Sequence, residues 1–158
     1  MIETHSHLNI EDFDQDLDEV IRRAEVAGVQ AIIVVGMDAA SSIKAIEIAE
    51  KYKCVYATVG LHPGYVDEGD TTHIQSLLKH PKVVGIGECG TDLYWSQENI
   101  EKQRTAFRYQ VELAVQTGLP LVIHTRNSFQ EAYDVITPYK GKVKGVFHCF
   151  SSSLQDAK

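Results

Sequence analysis

The sequence is poor in positive charge: 15 Lys and Arg stand against 22 Asp and Glu, a formal −7 in 158 residues. Broad electrostatic capture of nucleic acid works by releasing counterions to lysine and arginine. That mode is excluded as the main source of affinity, so a polyanionic substrate would need another attraction. Cysteine is scarce too. Cys54, Cys89 and Cys149 form neither an even set nor a C-x-x-C pair, which argues against a disulfide framework and for a reducing compartment. The longest apolar run, Ala31 to Val35, falls far short of the ~20 residues a membrane span needs. Met1-Ile2-Glu3-Thr4-His5 lacks the basic-then-apolar order of a secretory leader. A cytoplasmic protein with no membrane partner is expected. The rest, 44% hydrophobic and 23% charged, is ordinary globular usage. The length suits one domain over residues 1–158, since domains run about 100–200 residues.

Short β-branched runs alternate with longer amphipathic stretches, without a linker or low-complexity break. The runs predict strands at Ile2–His5, Ala31–Val35, Val55–Gly60, Val83–Glu88, Leu121–His124 and Val143–His148. Between them Leu17, Val20, Ile21 and Ala24 recur at helical spacing, as do Phe107, Val111 and Ala114. Gly28 and Gly118 are placed as helix C-terminal caps, Pro120 blocks continuation, and Ser128 with Glu131 reads as a capping box. Such alternation implies a parallel sheet covered by helices, either open and doubly wound or closed as an eight-stranded barrel. Length favours the open sheet, because a complete barrel typically takes ~250 residues and this chain supplies about six of eight units.

The positions of the ionisable residues favour the barrel. His5 and His7 sit two apart at the end of the first strand, so a period of two puts both on one face. Glu88 ends the fourth strand, His124 the fifth and His148 the sixth. Parallel α/β barrels build their sites at the carboxyl ends of their strands. Four imidazoles and a carboxylate gathered there would cage divalent metal: Zn, Mn, Fe or Ni, and also Mg if the carboxylate bridges two ions. The fold expected is therefore an incomplete TIM-type (β/α) barrel. His62, in Gly60-Leu61-His62-Pro63, is either a donor that orients substrate or a loop histidine without a role. Arg126 either forks onto a phosphate or begins a helix or pairs with a surface acid. Asp92 and Trp95, read as a loop after Glu88, suit either an aspartate steadying a ligand histidine with an aromatic stacking on a base, or turn chemistry and loop packing. His73 and His80 read as surface residues. Strand alternation turns Cys89 and Cys149 outward toward the helices.

The segments Thr4-His5-Ser6-His7-Leu8-Asn9, Gly60-Leu61-His62-Pro63, Gly87-Glu88-Cys89-Gly90-Thr91-Asp92, Ile123-His124-Thr125-Arg126 and His148-Cys149-Phe150-Ser151 occur in the order found in the TatD family of metal-dependent deoxyribonucleases. The chain resembles that family, an amidohydrolase-like barrel group, over nearly its whole length. The resemblance implies that His5 and His7 hold one metal, that Glu88 bridges, and that His124 and His148 hold a second. It implies a hydrolase, commonly a nuclease acting on DNA ends, in which two divalent ions (Mg, Mn, Zn or Ni) activate water against a phosphodiester. Thr91 departs from the family's aliphatic residue and Glu3 from its commoner aspartate. The family's last ligand, an aspartate in a Glu-Thr-Asp-like segment after strand seven or eight, has no counterpart before Lys158. Low turnover is therefore expected of this chain. An incomplete barrel exposes two sheet edges, so a second copy or a complementing C-terminal segment is an expected partner beside DNA. Two other readings stay open: a metal hydrolase of amides, esters or deaminated rings, and a non-catalytic fragment that assembles through its exposed edge.

Overall fold

A computed structural model describes residues 1–95 and 97–158. Its strands are β1 (Ile2–Ser6), β2 (Ala31–Val35), β3 (Val55–Val59), β4 (Val83–Asp92), β5 (Leu121–Arg126) and β6 (Gly145–His148). The connecting helices are α1 (Leu17–Val26), α2 (Ala39–Lys51), α3 (Thr72–Leu77), α4 (Ile100–Thr117) and α5 (Phe129–Ile136). Every pairing is parallel and the spatial order β1-β2-β3-β4-β5-β6 repeats the chain order. At ~4.8 Å per strand a flat sheet of this size would hold β1 and β6 about 24 Å apart. Instead the rings of His5 in β1 and His148 in β6 stack with centroids 3.4 Å apart and planes 6° from parallel. The sheet is curled until its outer strands meet at their carboxyl ends. It is a partial barrel of six units, as the positions of the ionisable residues predict and against the open sheet that length alone favours.

One face of the curled sheet packs against the helices. Val34, Val55, Ala57, Val59 and Ile86 are fully buried in the strands. On the helix side Ile21, Ala45, Ala49, Ile74, Phe107, Val111 and Ala114 close over them. The helical spacings in α1 and α4 thus mark the faces that pack. Asp38 caps α2 by accepting the Ser41 amide at 2.7 Å. Gly118 ends α4 at φ +71° and Gly28 follows α1 at φ +88°, the left-handed backbone expected of such caps.

Four expectations are corrected. β4 does not stop at Glu88: residues Cys89 to Asp92 continue the ladder opposite Ile123 to Arg126, so Asp92 is a buried strand residue, not a loop. Ser128 precedes α5 but makes no cap bond; its hydroxyl donates to the Thr91 carbonyl at 2.7 Å, and Glu131 pairs with Arg104 at 2.9 Å. Cys89 is fully buried as expected, whereas Cys149 is exposed: β6 ends at His148, and Cys149 turns left-handed at φ +46°, so strand alternation no longer applies. His73 is half-buried, with Nε2 3.2 Å from the Gly60 carbonyl, whereas His80 pairs with exposed Glu50 at 3.1 Å at the surface, as expected.

Candidate metal centre

Glu88 lies at the middle of the site, its side chain 4% exposed. Its Oε2 faces His5 Nε2 at 3.4 Å and His7 Nε2 at 3.8 Å, and those two nitrogens are 3.2 Å apart. Its Oε1 meets His124 Nδ1 at 3.0 Å and His62 Nε2 at 3.9 Å. His148 joins the first group by stacking on His5, and His5, Glu88 and His148 offer ligand atoms within 4.8 Å of one another. His62, Glu88 and His124 form a second such group. All five side chains expected at the centre are brought together, as is His62. The grouping differs from the resemblance in one respect: His148 sits with His5, because the curl brings β6 against β1.

The donor set fits a divalent cation. His5 Nε2, His7 Nε2 and Glu88 Oε2 converge pairwise within 3.8 Å. One imidazole proton cannot satisfy all three, whereas a cation can. The buried Nδ1 atoms of His5 and His7 have no hydrogen-bond partner among the described residues, so no protein group there dictates either tautomer. Burial, outweighed by hydrogen bonds from His124 and His5, leaves the Glu88 carboxyl well below the usual carboxylate range. Burial opposes charge on His124 as well, yet its bonds to Glu88 and Asp92 raise it above an ordinary histidine. Burial lowers His7 and His148.

His62 is held differently. Its Nδ1 accepts the Gly64 amide at 3.0 Å, which leaves the proton of the neutral ring on Nε2, facing Glu88 and the cavity. Burial, helped by the neighbouring His124, pushes it down to about 4. The sign of the linkage follows: between about 6.5 and 4 the unfolded chain takes up a proton that the folded one refuses, so acidification over that window destabilises the fold. The loss expected is on the order of 3 kcal/mol for metal-free protein. Urea unfolding in chelator at pH 7, 5.5 and 4 reads it. His62→Gln should flatten the profile, and an unchanged slope in that variant would place the acid sensitivity elsewhere.

Sequence reasoning left three residues undecided or unseen. Asp92 Oδ2 lies 2.9 Å from His124 Nε2, so the imidazole is held at both nitrogens, by Asp92 and Glu88. The available signal was the even interval of four between Glu88 and Asp92, which places both on one strand face. Gln103 and Gln110, seven residues apart and so on one side of α4, are buried. Gln103 brackets the Asp92 backbone, accepting its amide at 2.8 Å and donating to its carbonyl at 3.0 Å; Gln110 does the same for Leu61, next to His62, at 2.9 and 3.1 Å. Glutamines inside a helical apolar stripe were the mark of that role.

Above the cluster lies a cavity of about 480 Å³, lined by His7, His62, Glu88, His124, Arg126 and His148 among others. Arg126 reaches it from the exposed end of β5 and lays its guanidinium 3.6 Å over the Tyr94 ring. Among the described residues no helix is long and apolar enough to cross a membrane.

The family model described as TatD related DNase matches residues 2–158. An uncharacterized metal-dependent hydrolase of Bacillus subtilis, YabD, is 40% identical over 100% of this chain and 64% of its own length. The 3'-5' ssDNA/RNA exonuclease TatD of Cronobacter turicensis is 33% identical over 92% of this chain and 57% of its own. Among solved structures, YjjV of Escherichia coli, a TatD homologue, superposes with a TM-score of 0.90 at 32% identity, covering 99% of this chain and 62% of that one. The chain thus spans less than two thirds of the length of these relatives, and within that span it superposes closely on the solved YjjV fold. It belongs to the TatD-related DNase family.

Proposed function

We propose that the centre hydrolyses phosphodiester bonds of single-stranded nucleic acid with divalent metal. The observation that carries this reading is the buried carboxylate of Glu88, which turns one oxygen to His5 and His7 and the other to His124. His5, His7 and His148 together with Glu88 would hold one ion, and His124 with Glu88 a second. Mg, Mn, Zn or Ni all suit imidazole with a bridging carboxylate. Such ions, when bound, supply Lewis acidity toward a phosphoryl oxygen and lower the pKa of water.

The chain's own groups do the rest. Asp92 accepts a hydrogen bond from His124 Nε2–H, which keeps the proton of the neutral ring there and leaves Nδ1 free as a ligand atom, the usual pairing of a carboxylate behind a ligand imidazole. His62, neutral at pH 7 and protonated on Nε2, is suited to donate to a substrate oxygen rather than to bind an ion. Arg126 stacks through its flat face on Tyr94, which leaves its N–H edge for a phosphate. The activity named for the Cronobacter relative, 3'-5' exonuclease on ssDNA and RNA, is the form proposed.

The test is incubation of the purified chain with an end-labelled single strand and each ion in turn, with metal analysis of the same sample. Expected is slow, metal-dependent shortening from the 3' end that Glu88→Gln abolishes. Equal degradation by both proteins, or a chain that retains none of the four ions, would refute the reading.

A further inference from the structure

We infer that Tyr94, Trp95 and Arg126 form a stacking platform that receives a nucleobase of the strand whose phosphate enters the metal centre. This rests on the nuclease reading and adds how a chain of net charge −7 would grip a polyanion. Trp95 is 76% exposed and Tyr94 51%. An indole bare to water and a half-exposed phenol ring, next to the arginine that lines the cleft, are the kind of exposure that marks a binding surface. The rings stand edge to face, centroids 4.7 Å apart and 88° between planes. Arg126 covers Tyr94 at 3.6 Å and lies 5.6 Å from Trp95. The greater part of the indole is left open.

The platform is tied to the centre. Asp92, which holds His124 through Oδ2, accepts the Tyr94 amide through Oδ1 at 2.8 Å, and the Leu93 amide donates to the Arg126 carbonyl at 2.9 Å. One carboxylate therefore fixes both a ligand imidazole and the start of the aromatic segment. Arg126 is the one lysine or arginine among the described residues lining the cavity. With so little cation there, counterion release contributes little and the salt dependence of binding should be shallow. Stacking takes over that role. Every base has a π face, so the platform accepts single strands with little regard to sequence and rejects a sugar-phosphate chain without bases.

Trp95 is the single tryptophan of the sequence, so its fluorescence reports the platform without a label. The metal-loaded chain is titrated with a phosphorothioate oligothymidylate and with an abasic strand of equal length, with anisotropy of a labelled strand as the independent measure of binding. The oligothymidylate should quench Trp95 and the abasic strand should not. Trp95→Ala should weaken oligothymidylate binding by about tenfold, within a range of roughly 5- to 100-fold, and Trp95→Phe should restore most of it. Strands that bind by anisotropy without quenching, or an abasic strand that quenches equally, would overturn the platform and leave the nuclease reading intact. No binding of either strand to metal-loaded protein would overturn both.

Discussion

Glu88→Gln is expected to reduce affinity for a divalent ion by about a hundredfold or more and to destabilise the metal-free fold by about 3–5 kcal/mol. The first figure exceeds the 10–100-fold that loss of a group behind a ligand typically costs, because Glu88 faces both imidazole groups itself. The second is the cost of leaving a buried charge without its partner. The amide keeps the shape of the carboxylate but cannot answer the charge on His124, whose nitrogen lies 3.0 Å from Oε1. The stability gap has a definite pH window. Glu88 is depressed, so its contribution is present above its unfolded value near 4.5 and is lost as pH falls through the folded one. His124 is raised, so its contribution is present below 6.5 and is lost as pH rises through its folded value. The two proteins should differ most between about 4.5 and 6.5, and the gap should narrow at alkaline pH as His124 loses the charge that Glu88 answers. Calorimetric titration with Mn or Zn, and urea unfolding in chelator at pH 5.5 and 9, measure the two effects. Equal metal affinity in wild type and variant would remove Glu88 from the centre.

The candidate ligand set was legible in the sequence because His5, Glu88, His124 and His148 each follow a short apolar or β-branched run, where an ionisable side chain stands out, and a period of two puts His7 on the face of His5. Which imidazole shares which oxygen was not legible, because periodicity states a face and says nothing of how far a sheet curls. The 3.4 Å stack of His148 on His5 joins the first strand to the sixth, a contact that depends on the closure of the entire sheet. Asp92 was half visible. Gly90-Thr91-Asp92 has the composition of a turn, and only pairing with β5 carries the strand through it. Ser128 and Glu131 illustrate the converse: their spacing fits a capping box, but Thr91 and Arg104, distant in sequence, take both side chains. The approach of Arg126 to Tyr94 likewise depends on β4 and β5 lying side by side.

That pairing rests on a position where no side chain fits, and Gly90→Ala should therefore cost more than about 4 kcal/mol. Gly90 pairs with His124 across β4 and β5 and adopts φ +134°, a backbone region that is essentially glycine's alone. A Cβ there would lie 2.1 Å from the His124 carbonyl oxygen and 3.1 Å from its backbone carbon and nitrogen. Backbone cannot rotate away as a flexible side chain can, so the strands must part and the ladder around Thr91 and Asp92 must open. The conformational cost alone is about 1–3 kcal/mol. The clash brings the total into the exceptional range for one substitution, and a domain holds only about 5–15 kcal/mol in all. Gly118→Ala is the control: it shares a positive φ, +71°, but its Cβ would meet nothing within 4 Å, so only the conformational part should appear. Urea midpoints of the two variants separate close approach from backbone strain, and equal losses would mean that the approach of the two strands is not limiting. Wherever Gly90→Ala remains folded, in the cold or in stabilising salt, its metal affinity should still fall, because parting β4 from β5 withdraws His124 from Glu88 and Asp92 together. A folded variant with wild-type affinity would show that the carboxylate grip on His124 does not depend on this contact.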